Sequence, residues 1–153
     1  MRNSRSRSFR PDMFRWLQRL LPFKVPDDAG ARGEQHAADW LQRTHGFVLV
    51  ARNWRDPRDR RREIDLICRD GDALVFIEVK ARAAGALVPG YFAVDRRKKK
   101  VLRRAIDAYL SQLKQPPRTF RFDVVEIAHT SENCAPEVLH FENIPLFPKH
   151  YRG

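Results

Sequence analysis

Residues 62–82, REIDLICRDGDALVFIEVKAR, contain two runs of apolar and β-branched residues on either side of the dipeptide DG. Such runs favour β-strands, and DG between them is a strong signal for a tight hairpin turn. Yet Asp65, Glu78 and Lys80 lie inside these runs. Charged side chains are seldom buried in a sheet unless they are paired or ligate a metal. This hairpin therefore constrains both the fold and the place of a functional site.

The register of the hairpin decides which side chains meet. Placing DG at the two central positions of a type I′ turn pairs Arg69 with Asp72. Paired residues share a face of the sheet, as do residues two apart, so Asp65, Glu78 and Lys80 emerge together. In this register Asp65 and Glu78 are diagonal neighbours. The opposite face is apolar throughout, and we expect a helix to cover it.

Neighbouring carboxylates in a sheet are unfavourable without a cation. Two of them about 5 Å apart repel by roughly 3 kcal/mol at an effective dielectric near 20. Lys80 offsets part of this repulsion, and Mg²⁺ or Mn²⁺ would offset more, since these ions prefer oxygen ligands and keep water in open positions. The alternative for the hairpin alone is an ion pair of Asp65 with Lys80, with Glu78 near the rim.

A third acidic residue comes from a helix. Residues 28–45 show helical spacing of apolar residues, and Gly46 is placed to end the helix. Glu34 lies four residues before Ala38 and seven before Leu41, which are both on the apolar stripe, so its carboxylate points inward. This helix is a candidate to cover the charged face of the hairpin. Acids and a lysine that converge from separate segments are costly for stability alone.

The remaining elements follow from alternation, helical spacing and turn residues. Strands are predicted over 47–53, 63–69, 73–82, 119–128 and 137–142, a second helix over 96–113, and polar or irregular loops over 56–62 and 83–91.

The second helix begins with a dense group of basic residues. It either binds phosphate groups or forms a solvated face, and cations at a helix N-terminus oppose the helix dipole. Arg82, beside the hairpin motif, either contacts phosphate or pairs with an acidic side chain. The candidate nucleic-acid-binding residues of the helix are Arg96, Arg97, Lys98, Lys99, Lys100, Arg103 and Arg104.

Net charge and composition restrict the partners. The chain has 30 Lys and Arg against 19 Asp and Glu, a net charge of +11, which attracts polyanions. Nucleic acid is the first expectation, and an anionic membrane surface contacted by residues 1–28 is the second. No apolar run is long enough to span a bilayer, and the two cysteines form neither a disulfide framework nor a zinc motif. A cytoplasmic protein is therefore expected.

Two weaker groups of candidates remain. Asp123 is expected to pair with a basic neighbour rather than to join a site. The five histidines are scattered along the sequence, and no ligand role is predicted for His36.

Five blocks of sequence occur in a diagnostic order between about residues 29 and 128: ARGEQHAADWLQRTHGFVLVARNWR, EIDLI, VFIEVKAR, KKKVLRRAIDAYL and RFDVVEI. This ordered set resembles the YraN-like family, which in turn resembles archaeal Holliday-junction resolvases and the wider PD-(D/E)XK nucleases. The chain departs from the family pattern at Arg62, where glycine is usual.

The resemblance implies a restriction-endonuclease-like α/β fold, with an α-β-β-β-α-β core in one domain over residues 29–153 after a basic extension over 1–28. It implies a Mg²⁺- or Mn²⁺-dependent endonuclease on DNA, with branched or recombination intermediates as candidate substrates and a homodimer as the working form. A nucleic-acid-binding module without catalysis is the alternative. The resemblance implies these metal ligands: Asp65, Glu78, Glu34 and the backbone carbonyl of Val79. It makes Lys80 the residue that orients water and stabilises charge on the phosphate.

Overall fold

The computed structural model of the protein describes residues 29–82, 96–128 and 135–147. Predictions for the extension over 1–28 and for the loop over 83–91 lie outside these ranges. None of the helices in the described ranges is long and apolar enough to cross a membrane.

One mixed sheet organises the fold. Its five strands lie in the order β1-β2-β3-β4-β5, antiparallel except for the parallel pair β3–β4, which flanks the chain segment that carries the second helix. This is the single-domain restriction-endonuclease-like α/β architecture that the sequence predicted. The elements are α1 (Ala29–His45), β1 (Val48–Asp56), β2 (Asp59–Asp70), β3 (Ala73–Arg82), α2 (Arg96–Gln112), β4 (Thr119–Ala128) and β5 (Glu137–Phe141).

The two helices cover opposite faces of the sheet. Apolar residues of α1 pack on the face that carries Leu66, Val75 and Ile77, whereas those of α2 pack on the face that carries Phe76 and Val124. The expectation that α1 covers the charged face of the hairpin is therefore wrong, because α1 lies over the apolar face and α2 over the other. An apolar face must be covered by apolar side chains, and α1 supplies them from its alanines and Leu41.

The loop predicted over 56–62 is instead part of a hairpin. Strand β2 already begins at Asp59, and only two residues form the turn that precedes it. The buried carboxylate of Asp56 accepts hydrogen bonds from the Arg58 backbone N–H and from Arg62 Nη1, both at 2.9 Å. The backbone at Arg58 and the side chain of Arg62 are thus held by one aspartate. Arg62 is the residue at which the family usually has glycine.

The central hairpin has a different register from the predicted one. Asp70 pairs with Ala73, so the turn residues are Gly71 and Asp72 rather than Asp70 and Gly71. Gly71 has φ +55°, whereas Asp72 is not among the described non-glycine residues with positive φ. Glycine with positive φ at the first turn position is typical of a type II′ turn, not type I′. The resulting shift by two residues leaves the side chains of the paired residues 66–70 and 73–77 on their predicted faces, since side chains alternate with a period of two.

Helix α1 ends at a glycine, as the sequence predicted. Gly46 has φ +70°, and its N–H donates to the Gln42 carbonyl at 3.1 Å. Gly33, inside the same helix, has no positive φ, and an added Cβ would meet nothing within 4 Å at either glycine. The two glycines therefore differ only in backbone conformation.

We expect Gly46→Ala to destabilise the protein by about 1 kcal/mol, because a Cβ disfavours positive φ. Gly33→Ala, the matched control, should stabilise it by about 0.5–1 kcal/mol through its higher helix propensity. Thermal unfolding of both variants measures this. A loss of stability in Gly33→Ala equal to that in Gly46→Ala would contradict the assignment.

Candidate functional site

The alternation of side chains between the two faces of the sheet is interrupted in β2 at Asp65. Leu66 packs in the core under α1, whereas Ile64 and Ile67 both pack in the core under α2. In a regular strand Ile64 and Leu66 would share one face. Asn53, which lies opposite Asp65 on β1, has a left-handed φ of +49°. Asp65 is therefore located at an irregularity of the sheet rather than on one regular face.

The Asp65 carboxylate lies between two strands. The described pairing of β2 with β3 runs as far as Leu66 with Ile77. Just beyond this last pair, Asp65 Oδ2 accepts a hydrogen bond of 2.8 Å from the Val79 backbone N–H. Continuing the same register puts Asp65 directly opposite Glu78, not diagonal to it as predicted. A carboxylate between the strands can be approached from both helical layers.

Glu78 is the most buried acid of the hairpin, with 2% of its surface exposed. Its Oε1 accepts from Lys80 Nζ and lies 2.8 Å from each of two ammonium groups, those of Lys80 and Lys98. Its Oε2 is also buried, and no residue of the described ranges donates a hydrogen bond to it. One oxygen is thus shared by two cations, while the other is left for a further ligand.

Glu34 reaches the site from α1, in the layer opposite to Lys98. Its negative charge is close enough to Asp65 to raise the pKa of that carboxyl, and its Oε2 atom is buried. The two helices thus bring charges of opposite sign to the same strand end. Only the folded sheet brings Glu34, Asp65 and Glu78 together, since they come from three separate elements.

Burial is the main cause that raises the pKa of Asp65, to about 7 from an ordinary value of 3.8. The charge of Glu78 raises it next, and Glu34 adds to this. The Val79 N–H and Lys98 act in the opposite direction. For Lys98, burial lowers the pKa, but the hydrogen bond and charge of Glu78 and the charge of Asp65 raise it overall. Burial and the neighbouring carboxylates therefore favour the protonated form of Asp65 up to about pH 7.

Two members of the site were missed or misplaced by sequence reasoning. Glu126 on β4 is 1% exposed and lies beside Lys80 in the parallel register. Its sequence signal is an acid inside the apolar run FDVVEIA, the same signal that identified Asp65 and Glu78. Lys98 was predicted to bind nucleic acid together with its neighbours on the helix. In the structure its ammonium group lies 2.8 Å from Glu78 Oε1.

The other basic residues of α2 lie on or near the surface. Arg96, Arg97, Lys100 and Arg104 are exposed, and Lys99 and Arg103 are half-buried. The side chain of Arg82 lies outside the described residues. The exposed group flanks the helix end that carries Lys98, so it is adjacent to the carboxylates.

The carboxylates fit a hard divalent cation. Glu34, Asp65 and Glu78 carry carboxylate oxygens on three elements, and oxygen donors are those that Mg²⁺ or Mn²⁺ prefers. The buried Glu78 Oε2 is available to such an ion, and burial together with the charges of Glu78 and Glu34 raises the pKa of Asp65. The predicted roles of these residues, and of the Val79 carbonyl, remain predictions.

Comparison with known proteins places the chain in a family. The family model described as "Uncharacterised protein family UPF0102" matches residues 33–127. The chain belongs to the UPF0102 family. The matched range contains Glu34, Asp65, Glu78, Lys80 and both helices' contributions to the site.

Three UPF0102 proteins illustrate the similarity. The protein of Nitratidesulfovibrio vulgaris (strain DP4) is 41% identical over 108 residues, which cover 71% of this chain and 78% of the relative. That of Beutenbergia cavernae is 39% identical over 112 residues, covering 73% and 92%. UPF0102 protein CT2262 of Chlorobaculum tepidum is 44% identical over 103 residues, covering 67% and 77%.

Removing the charge of Asp65 should stabilise this UPF0102 protein in EDTA. Below about pH 4 the Asp65 carboxyl is protonated in both the folded and the unfolded state, so its titration does not change the stability of the protein. Between about pH 4 and 7 only the unfolded state releases the proton, and stability falls as pH rises. The Asp65→Asn variant has no such loss of stability, and its Oδ1 can still accept a hydrogen bond from the Val79 N–H. Its stability relative to wild type should therefore increase up to about pH 7 and then remain constant.

Thermal unfolding of Asp65→Asn across pH 4–8 measures this effect, expected to reach about 1–3 kcal/mol. Asp72→Asn, in the exposed turn of the same hairpin, is the control and should show little pH-dependent difference from wild type. An advantage of Asp65→Asn that is already complete at pH 4 would exclude a raised pKa as its cause.

Proposed function

We propose that this protein is a divalent-metal-dependent endonuclease that hydrolyses phosphodiester bonds in DNA. The observation that carries the proposal is the convergence of Asp65, Glu78 and Glu34 from three elements, with Lys80 and Lys98 on one oxygen of Glu78. Their burial is expensive for stability alone, which favours a functional reason for the arrangement. The resemblance of the hairpin to PD-(D/E)XK nucleases supports the same reaction.

The carboxylates would hold the cation. Asp65 and Glu78 are its principal ligands, Glu34 completes the set, and Mg²⁺ or Mn²⁺ matches their oxygen donors. A divalent cation bound there would supply positive charge to a phosphate oxygen and make a coordinated water more acidic. Because Asp65 accepts from the Val79 N–H, its second oxygen is oriented before any ligand arrives.

The lysines would act on the phosphate. In hydrolysis a water oxygen bonds to phosphorus while one ester P–O bond breaks, and charge increases on the phosphate oxygens. Lys80 carries a compact charge that suits a phosphate oxygen and can orient the attacking water. Lys98 can do the same from α2. A cation that binds Glu78 would free both ammonium groups from that carboxylate.

The exposed basic residues at the start of α2 would bind the DNA backbone. Contacts of this kind fix the position of a duplex without reading its sequence. They fit a preference for DNA shape, so branched or recombination intermediates are the candidate substrates. A homodimer would present two such surfaces to a junction.

A nucleic-acid-binding module without catalysis is the second candidate. The observation that favours it is the pair of ammonium groups on Glu78 Oε1, which already neutralise part of the site without a metal. In that case the basic surface of α2 alone would account for the affinity. Cleavage and binding assays separate the two candidates.

Cleavage of four-way-junction, flap, duplex and single-stranded DNA should require Mg²⁺ or Mn²⁺ and stop in EDTA. Asp65→Asn and Lys80→Ala should each reduce the rate by about 100-fold or more, since each removes a ligand or a charge that acts on the phosphate. Asp72→Asn, in the exposed turn, should retain the wild-type rate. Gel electrophoresis of end-labelled DNA measures the rates.

The absence of metal-dependent cleavage on every substrate, with DNA binding intact, would support the binding module and reject the nuclease. Equal cleavage by wild type and Asp65→Asn would identify a contaminating nuclease.

The basic surface can be tested separately in the Asp65→Asn background. Lys100→Gln and Arg104→Gln should each weaken DNA binding and reduce the slope of log affinity against log salt by about 1, because each removes one phosphate contact. Lys114→Gln is the control, since Lys114 is exposed beyond the other end of α2. Fluorescence anisotropy across a salt series measures this, and equal effects of all three changes would exclude a localised phosphate-binding surface.

A further inference from the structure

A second polar cluster lies under the C-terminal end of α1. Asp123 on β4 is fully buried and accepts from Arg121 Nε at 3.1 Å and from the Asn143 backbone N–H at 2.9 Å. The predicted pairing of Asp123 with a basic neighbour is thus confirmed. Its Oδ2 also lies 2.9 Å from His140 Nε2. A buried carboxylate with an imidazole partner needs an explanation beyond one ion pair.

His140 on β5 is the central member of this cluster. Its side chain is 4% exposed, and its Nδ1 atom is buried without a hydrogen-bond partner in the described residues. Because a carboxylate accepts from Nε2, the proton of a neutral ring resides on Nε2 and the lone pair on Nδ1. Because Nε2 is occupied by the Asp123 carboxylate, Nδ1 carries a buried lone pair that has no hydrogen-bond partner among the described residues.

Two further ligand groups surround this atom. His45, at the end of α1, and Glu142, just after β5, each offer one ligating atom, and these lie within 4.8 Å of each other and of the His140 atom. Glu142 Oε1 is 4.0 Å from His140 Nδ1. The rings of His45 and His140 are 5.3 Å apart between centroids. His45 and Glu142 are exposed and can adjust their positions, whereas His140 is fixed.

We propose that His45, His140 and Glu142 bind a divalent transition-metal ion, Zn²⁺, with Asp123 as the hydrogen-bond acceptor that orients His140. Two imidazoles and one carboxylate form a common zinc ligand set, with a fourth position for water. A carboxylate behind a ligating histidine fixes its tautomer and strengthens the ligand. Tetrahedral ligands of Zn²⁺ lie about 3.3 Å apart, so the two exposed side chains must move inward by on the order of 1 Å.

The local charge is favourable to a cation. Asp123, Glu142 and Asp70 surround Arg121. Even with both histidines neutral, three carboxylates exceed one guanidinium. A bound ion would join the end of α1 to β5, two elements that are otherwise connected there by aromatic contacts.

This zinc site is separate from the carboxylate site. His45 lies 11 positions after Glu34 on α1, which corresponds to about 16 Å along the helix axis. Its donors are mainly imidazoles, which prefer transition metals, whereas the other site offers only oxygens, which prefer Mg²⁺ or Mn²⁺. The zinc site therefore does not depend on the proposed nuclease activity.

Zinc titration of the full chain, without an affinity tag and stripped with EDTA, tests the proposal. Wild type should bind one Zn²⁺ in competition with a chromophoric chelator, and its Tm should rise by several degrees. His45→Gln should weaken Zn²⁺ binding at least about tenfold while retaining the metal-free Tm, because His45 is exposed. His36→Gln, on the same helix but outside the cluster, is the matched control and should bind as wild type.

Two further variants locate the ion. Glu142→Gln should weaken Zn²⁺ binding, whereas Asp65→Asn should not. Co²⁺ should give visible d–d absorption in wild type that is lost in His45→Gln. Absence of stoichiometric binding in wild type, equal binding by wild type and His45→Gln, or loss of binding in Asp65→Asn alone would each overturn the proposal. All of these readouts are independent of DNA cleavage.

Discussion

The hydrogen bond from the Val79 N–H to the Asp65 carboxylate is the interaction on which the candidate site depends. It occurs where the described pairing of β2 with β3 ends, so a side chain occupies the place of a backbone acceptor. The change of face in β2 and the left-handed Asn53 on the neighbouring strand occur at the same position. Because the carboxylate lies between the strands, the two helical layers can both reach it. Without this irregularity Asp65 would face one layer only.

The two helices contribute opposite charges to one strand end. Helix α1 brings Glu34 and α2 brings Lys98, and they meet at Asp65 and Glu78. Burial and mutual repulsion raise the pKa of Asp65 to about 7, so the site is short of positive charge even with two lysines nearby. Protein cores rarely contain such groups without a ligand to compensate them. The proposed divalent cation would offset this shortage of positive charge.

Helix α1 also connects two sites of different chemistry. Near its start Glu34 belongs to an all-oxygen cluster, and at its end His45 lies beside His140 and its carboxylate partner Asp123. The first set suits hard cations and the second suits zinc. A metal at the second site would fix the end of α1 against β5.

The resemblance to a known family predicted the fold class, and residue periodicity predicted the main elements and the faces of Glu78 and Lys80. For Glu78 and Lys80 the alternation survives the register error, because a shift by two residues returns a side chain of a regular strand to the same face. Tertiary structure decided the rest. Whether Asp65 lies on a face or between strands depends on an irregularity opposite it, and which anion Lys98 contacts depends on helix packing. His45 and His140 are far apart in sequence, and only the sheet order brings them together.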